Sequence, residues 1–406
     1  MPSALRWRTI SSDNMEVIIL AGGLGTRLRS VVSEVPKCMA PVGGRPFLWY
    51  LLEQLRFFDV KRVVLSVGYL RESVQDWVAQ HAGEYPFEFR FAVEEQPLGT
   101  GGGIRLAASM CEGSEVLVLN GDTFFDADLA GLQAARRSSG LPVAVALKPM
   151  TDFDRYGTVE LRDDGVIAAF REKAPCTEGL INGGVYSIDT ASGVLEGLPE
   201  RFSFEKDVLE PQCEAGRLFG LVQKGYFIDI GVPEDYAVAD AGPFLLCPAR
   251  PFIDILKAIY GCDTLLLDRD GVINRLRPGD YVKTVNEFEW LPGAKEALRF
   301  AAGKFSRIFI VSNQRGVGRG LMTREALDAI HAWMCGEIEA AGGRIDGIYV
   351  CTAVSEDDPC RKPRRGMFDL ILAEHPEVEA SRTVMVGDST SDIQFAWNCG
   401  IKGYLV

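Results

Sequence analysis

Short apolar runs, each closed by a polar or glycine-rich turn, recur along the chain in two separate series. Positions 17–20, 63–67, 115–119 and 142–147 are rich in Val, Leu, Ile and Ala, the composition of strands buried on both faces. Between them, 51–58 and 72–81 carry apolar residues at helical spacing. Strands alternating with helices predict a mostly parallel sheet covered on both sides. The second series repeats the alternation, with strands predicted at 264–267, 307–311, 347–351 and 383–386.

Between the two series, 241–260 breaks the pattern with Pro243, Pro248 and Pro251. Phe244, Leu245, Leu246, Phe252, Ile253, Ile255 and Leu256 make it too apolar for a free tether, so it is expected to pack against a domain. The predicted division is a short flexible lead at 1–15, an α/β domain at 16–240, the connection at 241–260 and a second α/β domain at 261–406. A chain of 406 residues is long for one core, which agrees with two. The lead contains Arg6 and Arg8 without the apolar stretch of a signal peptide. No run approaches the roughly 20 apolar residues of a membrane span. A net charge of -13 argues against non-specific binding to nucleic acid. Ten cysteines without pairing periodicity read as thiols of a reducing cytoplasm.

Two loops carry candidate chemistry. After the strand at 17–20 comes Ala21-Gly22-Gly23-Leu24-Gly25-Thr26-Arg27. A glycine-rich turn there lets backbone N–H groups approach a polyphosphate, although the same glycines could simply make a tight turn. Their spacing matches neither the P-loop nor the dinucleotide fingerprint. After the strand at 264–267 comes Asp268-Arg269-Asp270-Gly271, two carboxylates at a strand's C-terminal end, where open α/β sheets bind ligands. Asp-Gly alone is also a common turn.

The continuation of each loop sharpens the reading. Arg27, then Pro36-Lys37 and Pro41-Val42, make the first series resemble the sugar-1-phosphate nucleotidylyltransferases. The likeness implies a Rossmann-like mixed-sheet fold. It places the nucleotide on Ala21, Gly22, Gly23, Gly25, Thr26, Gln96, Pro97, Gly99, Thr100 and Asp122, with Arg27 and Lys37 gripping the triphosphate. Asp122 and Asp229 would hold Mg²⁺, a hard ion suited to carboxylates. Glu172, Lys173, Asn182, Gly183, Glu205 and Lys206 fall where the family contacts the sugar phosphate. The implied reaction is in-line attack of a sugar 1-phosphate on the α-phosphorus of a nucleoside triphosphate.

The second series resembles the haloacid-dehalogenase-like phosphatases through Asp268-x-Asp270, Ser312-Asn313-Gln314, Arg361-Lys362-Pro363 and Gly387-Asp388. That likeness implies a Rossmannoid sheet with Asp268 as nucleophile and Asp270 as acid and base. Mg²⁺ would sit on Asp268, Asp388 and the backbone carbonyl of Asp270. Ser312, Asn313, Arg361 and Lys362 would bind the phosphate, with Asp392 orienting the set. The finer resemblance, over nearly all of 262–406, is to the heptose bisphosphate and histidinol-phosphate phosphatase branch. Relatives often carry a Zn²⁺ loop before Arg-Lys-Pro. Here only Cys351 and Cys360 stand in it, and two ligands do not close a tetrahedral site, so zinc is not expected. His81, His331 and His375 are expected away from every motif.

Together the resemblances imply a bifunctional enzyme of nucleotide-heptose synthesis using GTP and a phosphorylated heptose. The sequence leaves oligomeric state open. The rival is a uridylyl- or cytidylyltransferase for another sugar joined to a histidinol-phosphatase-like enzyme. A nucleotide-sugar-binding relic is disfavoured because Arg27, Lys37, Asp122, Asp229, Asp268 and Asp270 are all intact.

Overall fold

Val, Ile and Leu crowd the first-series strands because the sheet they build is covered on both faces: Val17 to Ile19, Val63 to Leu65 and Val116 to Val118 are fully buried. The structure is a computed structural model that describes residues 15–23, 28, 31, 32, 34–242 and 246–406, and every count or absence below concerns those residues. Nearly all of the lead at 1–15 lies outside them, as do Gly25, Thr26 and Arg27. The chain divides into two compact units between Leu246 and Cys247.

In the first unit the strands are β1 (Met15–Leu20), β2 (Pro41–Val42), β3 (Arg45–Pro46), β4 (Val60–Val67), β5 (Glu88–Val93), β6 (Glu115–Asn120) and β7 (Thr123–Phe125). They continue as β8 (Val143–Phe153), β9 (Thr158–Leu161), β10 (Ile167–Phe170), β11 (Cys176–Asp189), β12 (Leu218–Val222) and β13 (Phe227–Asp229). β1 lies between β4 and β6, parallel to both, and β5 continues the parallel part beyond β4. β11 runs antiparallel to β6 and makes the sheet mixed, as the resemblance implies and the alternation alone did not predict. The loops after β1, β4 and β6 therefore leave from one edge, the usual ligand edge of such a sheet. Where β11 pairs with β8 the register shifts between Asn182 and Tyr186. Gly184 takes a left-handed φ of 71° there, and a Cβ on it would meet the Asn120 amide at 2.6 Å.

The register also explains an ion cluster at the strands' N-terminal ends. Glu16 faces Arg62 across β1 and β4, and Arg62 faces Glu88 across β4 and β5. Arg62, only 1 % exposed, pairs with Glu16, with Glu88 at 2.7 Å and with Glu112 at 2.7 Å. The buried Glu16 carboxylate also accepts the N–H groups of Glu112 and Gly113 at 2.8 and 2.6 Å. Arg62→Met strands that carboxylate without a cation. The expected cost is about 2–3 kcal/mol, below a wholly buried pair because two partners face solvent, and a lower urea midpoint of the whole chain would show it.

In the second unit β14 (Thr264–Leu267), β15 (Arg307–Asn313), β16 (Gly347–Cys351), β17 (Thr383–Gly387) and β18 (Lys402–Leu405) form a parallel sheet in the order β16-β15-β14-β17-β18. β14 is central, so Asp268 leaves the middle of the sheet, with the β15 and β17 loops on either side. The helix Phe252–Ala258 belongs to this unit, burying Ile255 and Leu256 while Lys304 Nζ donates to the Leu256 carbonyl at 2.6 Å. Phe244 and Leu245 lie outside the described residues.

Candidate active sites

In the first unit, strand pairing brings the two predicted metal carboxylates side by side. β7 and β13 are antiparallel with Asp229 opposite Thr123, and the Ile230 N–H donates to the Asp122 carbonyl at 2.9 Å. Lys37, on the short helical turn Lys37–Met39, donates from Nζ to Asp122 Oδ2 at 2.8 Å. Asp229 Oδ1 accepts the Gly231 N–H at 2.7 Å, and a Cβ on Gly231 would lie 3.3 Å from Lys37 Nζ. One ammonium and two carboxylates thus share a corner at the sheet's ligand edge. The donor set is all oxygen, which fits a hard divalent cation.

Ala21 and Gly22 sit above this edge, with the Ala21 N–H on the Ser66 carbonyl at 2.8 Å. The loop carrying Gln96 and Pro97, which resembles the base-recognition loop of the nucleotidylyltransferases and is the base-side loop of this unit, is exposed and leads into the helix Gly99–Ala108. Gly99 and Gly101 are glycines for packing: a Cβ on either would strike Phe202, at 2.5 Å from its carbonyl or 2.2 Å from its ring. The Thr100 hydroxyl turns to the sugar side, donating to Glu205 Oε2 at 2.8 Å and accepting the Phe204 N–H at 2.9 Å. Glu172, Lys173, Asn182 and Glu205 line one cavity of about 620 Å³. Gly183 is buried against Phe125, and Lys206 is exposed outside that lining.

Glu94 was missed. Its carboxylate accepts the Ser66 hydroxyl at 2.8 Å and the Leu98 N–H at 3.0 Å. The available signal was an acidic residue just past the partly apolar run 89–93 and immediately before the Glu95-Gln96-Pro97 loop.

In the second unit, the Asp268 N–H donates to the Val386 carbonyl, fixing the first aspartate beside β17. Asp268, Asp388 and Asp392 place one oxygen each within 4.8 Å of one another. Lys362, almost fully buried, lies 3.2 Å from Asp268 and 2.5 Å from Asp392 and donates to the Val311 carbonyl at 2.8 Å. The other Asp392 oxygen accepts the Ser389 N–H and hydroxyl, capping the helix Thr390–Asn398. Asp268 and Asp388 therefore remain facing each other. Burial pushes Asp268 up to about 6, against the pull of Lys362 and helped by Asp392 and Asp270. Burial and the Asp268 and Asp392 charges push Asp388 up to about 7. A pair so reluctant to ionise together, built of hard oxygens, fits Mg²⁺. Gly271, at φ 87°, leaves the room: a Cβ there would fall 2.0 Å from Asp388 Oδ2.

Asp270 is not part of this cluster. Its carboxylate is held by Arg269 at 2.9 Å, Asn274 at 2.8 Å and Gln314 at 2.7 Å. Burial alone would raise its pKa, but Arg269 and these donors outweigh burial and lower it. Ser312 Oγ accepts from Gln314 Nε2 at 3.0 Å, and Asn313 clasps Lys362 through reciprocal 3.1 Å bonds to its main chain. Arg361 is drawn aside, donating to the Val354 carbonyl at 3.1 Å and lying 3.4 Å from Glu356. In the cysteine loop, the Asp358 carboxylate accepts the Cys360 N–H at 2.9 Å and faces Cys351 Sγ at 3.9 Å.

One histidine corrects the sequence reading. His331 Nε2 lies 3.1 Å from Arg269 NH1, directly behind the aspartate motif, because the helix Arg324–Ala340 buries that side chain. Burial, then the Arg269 charge, lowers it from 6.5 to about 4. The unfolded chain therefore takes up a proton that the folded chain refuses as pH falls from 6.5 to about 4, and the stability contributed by this group drops across that window. His331→Asn should remove that contribution, read as the difference in urea midpoint between variant and wild type against pH.

The nucleotidyl transferase family profile matches residues 16–242, and a HAD-hydrolase-like profile matches 359–406. Over 225 residues the chain is 44 % identical to D-glycero-alpha-D-manno-heptose 1-phosphate guanylyltransferase of Aneurinibacillus thermoaerophilus, covering 55 % of this chain and 96 % of that protein. Over 135 residues it is 44 % identical to D-glycero-alpha-D-manno-heptose-1,7-bisphosphate 7-phosphatase of Mycobacterium tuberculosis, covering 33 % of this chain and 71 % of that one. The crystal structure of HddC from Yersinia pseudotuberculosis complexed with GMP-PN shares 37 % identity at a TM-score of 0.50, over 56 % of this chain and 98 % of that one. No helix among the described residues is long and apolar enough to cross a membrane. With the carboxylate and lysine clusters at both sheet edges, these likenesses show that the chain belongs to the nucleotidyl transferase family through residues 16–242 and to the HAD-like phosphatases through its C-terminal unit.

Proposed function

We propose that the chain removes the 7-phosphate of D-glycero-α-D-manno-heptose 1,7-bisphosphate and then joins the resulting 1-phosphate to GMP from GTP. The observation that carries the reading is the presence on one polypeptide of relatives of two enzymes whose named substrates are consecutive. A 7-phosphatase leaves a 1-phosphate, and a 1-phosphate guanylyltransferase consumes one. Ten cysteines without pairing periodicity along the chain support a cytoplasmic location.

In the phosphatase step an Asp268 oxygen attacks phosphorus, the bond from phosphorus to the sugar oxygen breaks, and Asp270 supplies the proton to that oxygen. Water, deprotonated by Asp270, then attacks the aspartyl-phosphate and releases inorganic phosphate. Because Asp270 rests as a carboxylate, its donor form requires the charge of a bound phosphate to raise its proton affinity. Lys362, Ser312 and Asn313 hold the phosphoryl oxygens, and Arg361 must leave Val354 to join them. Mg²⁺, held by Asp268, Asp388 and the Asp270 carbonyl, would neutralise charge on the phosphoryl group.

In the transferase step the residues align rather than react covalently. The turn at Ala21, Gly22 and Gly23, with Arg27 and Lys37, receives the triphosphate, and Lys173 and Glu205 position the attacking sugar phosphate. Mg²⁺ on Asp122 and Asp229 would offset the charge shared by both reactants. The test is to incubate the whole protein with the heptose bisphosphate, Mg²⁺ and each of GTP, ATP, UTP and CTP, following phosphate and pyrophosphate separately. Phosphate release followed by pyrophosphate with GTP alone is expected. Pyrophosphate with UTP or CTP instead would favour the rival transferase.

A further inference from the structure

We infer that Glu94 is a positioning residue of nucleotidyl transfer, holding the base-side loop at Leu98 against the glycine-rich turn at Gly22 without touching substrate. The inference rests on reading the first unit as a nucleotidylyltransferase. Glu94 follows β5, and its N–H donates to the Val67 carbonyl at 2.8 Å, so its backbone is fixed to the end of β4. From there the side chain reaches three other segments. One carboxylate oxygen accepts the Ser66 hydroxyl at 2.8 Å, and the other accepts the Leu98 N–H at 3.0 Å.

The third contact is steric. A Cβ on Gly22 would lie 3.1 Å from Glu94 Oε1, and a Cβ on Gly103, in the helix Gly99–Ala108, would lie 2.8 Å from the same oxygen. The carboxylate thus fills a cradle floored by two glycines, one in the turn after β1 and one in the helix after the base-side loop. With both oxygens engaged by Ser66 and Leu98, Glu94 acts through those segments. A negative charge near a polyphosphate would oppose binding by itself, so the benefit must come from geometry.

Geometry and charge make different predictions for glutamine. In Glu94→Gln the amide oxygen can accept the Leu98 N–H while the amide nitrogen donates to the Ser66 hydroxyl, which reverses its own bond. Both links survive and the charge is gone. In Glu94→Ala both links are lost. Gly103→Ala leaves the carboxylate in place but drives a methyl into it, at 2.8 Å from Glu94 Oε1 and 2.9 Å from Ser66 Oγ.

The experiment measures kcat and KM for GTP with heptose 1-phosphate in the full-length protein, with phosphatase activity of the same chain as the reference for folded enzyme. Glu94→Ala should raise KM for GTP about 10-fold, with kcat within about three-fold of wild type. Glu94→Gln should stay within about two-fold and keep the wild-type order among GTP, ATP, UTP and CTP. Gly103→Ala should reproduce much of the alanine effect at Glu94 yet add little to it in the double variant, because the contact with Glu94 has gone and the Ser66 hydroxyl, freed of that partner, can rotate away. The inference is overturned if Glu94→Ala keeps the wild-type KM, if glutamine is as damaging as alanine or alters the nucleotide order, or if the Glu94→Ala and Gly103→Ala effects multiply independently. Should Glu94→Ala not fold, the glutamine and Gly103→Ala variants decide by the same criteria. A wild-type protein that transfers no nucleotide to any sugar 1-phosphate overturns the transferase reading and this inference together. An active wild type with an unaffected Glu94→Ala overturns this inference alone.

Discussion

Asp268→Asn should cut phosphate release by on the order of 10⁴-fold, because an amide oxygen is a far poorer nucleophile than a carboxylate and the rest of the constellation acts only through it. The substitution is nearly isosteric. Arg269 N–H can still donate at the 2.7 Å position, and Lys362 keeps its 2.5 Å bond to Asp392. Pyrophosphate release from supplied heptose 1-phosphate should remain within about two-fold, since that site uses none of these residues. A stability readout separates lost chemistry from lost fold. Asp268 and Asp388 are raised from 3.8 to about 6 and about 7, so between those values the folded chain binds more protons than the unfolded one. The contribution of this pair to stability therefore falls as pH rises through that window, and removing one charge should raise the melting temperature in the presence of a chelator. Normal phosphate release by the asparagine variant would remove Asp268 from the chemistry.

Asp122→Ala should lower pyrophosphate release by about 10³-fold while phosphate release is unchanged, the loss expected when a preorganised charge at a phosphoryl centre is removed. Asp229→Ala should behave alike because the two aspartates serve one corner, and the double variant should be little worse than either single one. Lys37 loses its 2.8 Å partner in the first variant only. Variants that kept near-normal pyrophosphate release would show that this corner is not where the nucleotide reacts.

Eight strands, β1, β4, β6, β8, β14, β15, β16 and β17, were legible as apolar runs, while β5, β11, β12 and β18 of the same sheets were not. The helix Phe47–Leu55 was placed too late, at 51–58, because all nine of its residues are buried and no polar face sets its phase. The strand β8 was predicted to end at 147 but runs to Phe153, where it pairs with β11 among exposed positions. The β9 and β10 pair, two strands of four residues each and partly open to solvent, was not predicted. At the sites, motif residues that follow buried strands were readable, among them Asp122, Asp268, Ser312 and Asp388. What order along the chain could not supply was direction. Thr100 turns to Glu205 rather than toward the base-side loop, Asp270 turns to Gln314 across 44 positions, and His331 reaches Arg269 across 62.

Asp392 gives one oxygen to the start of a helix and the other to the Lys362 ammonium. Unwinding of that first turn would leave the lysine with the Val311 carbonyl and Asp268 alone, so heat should weaken hydrolysis before the sheet itself melts. Secondary structure and reactivity in this unit thus share a single carboxylate.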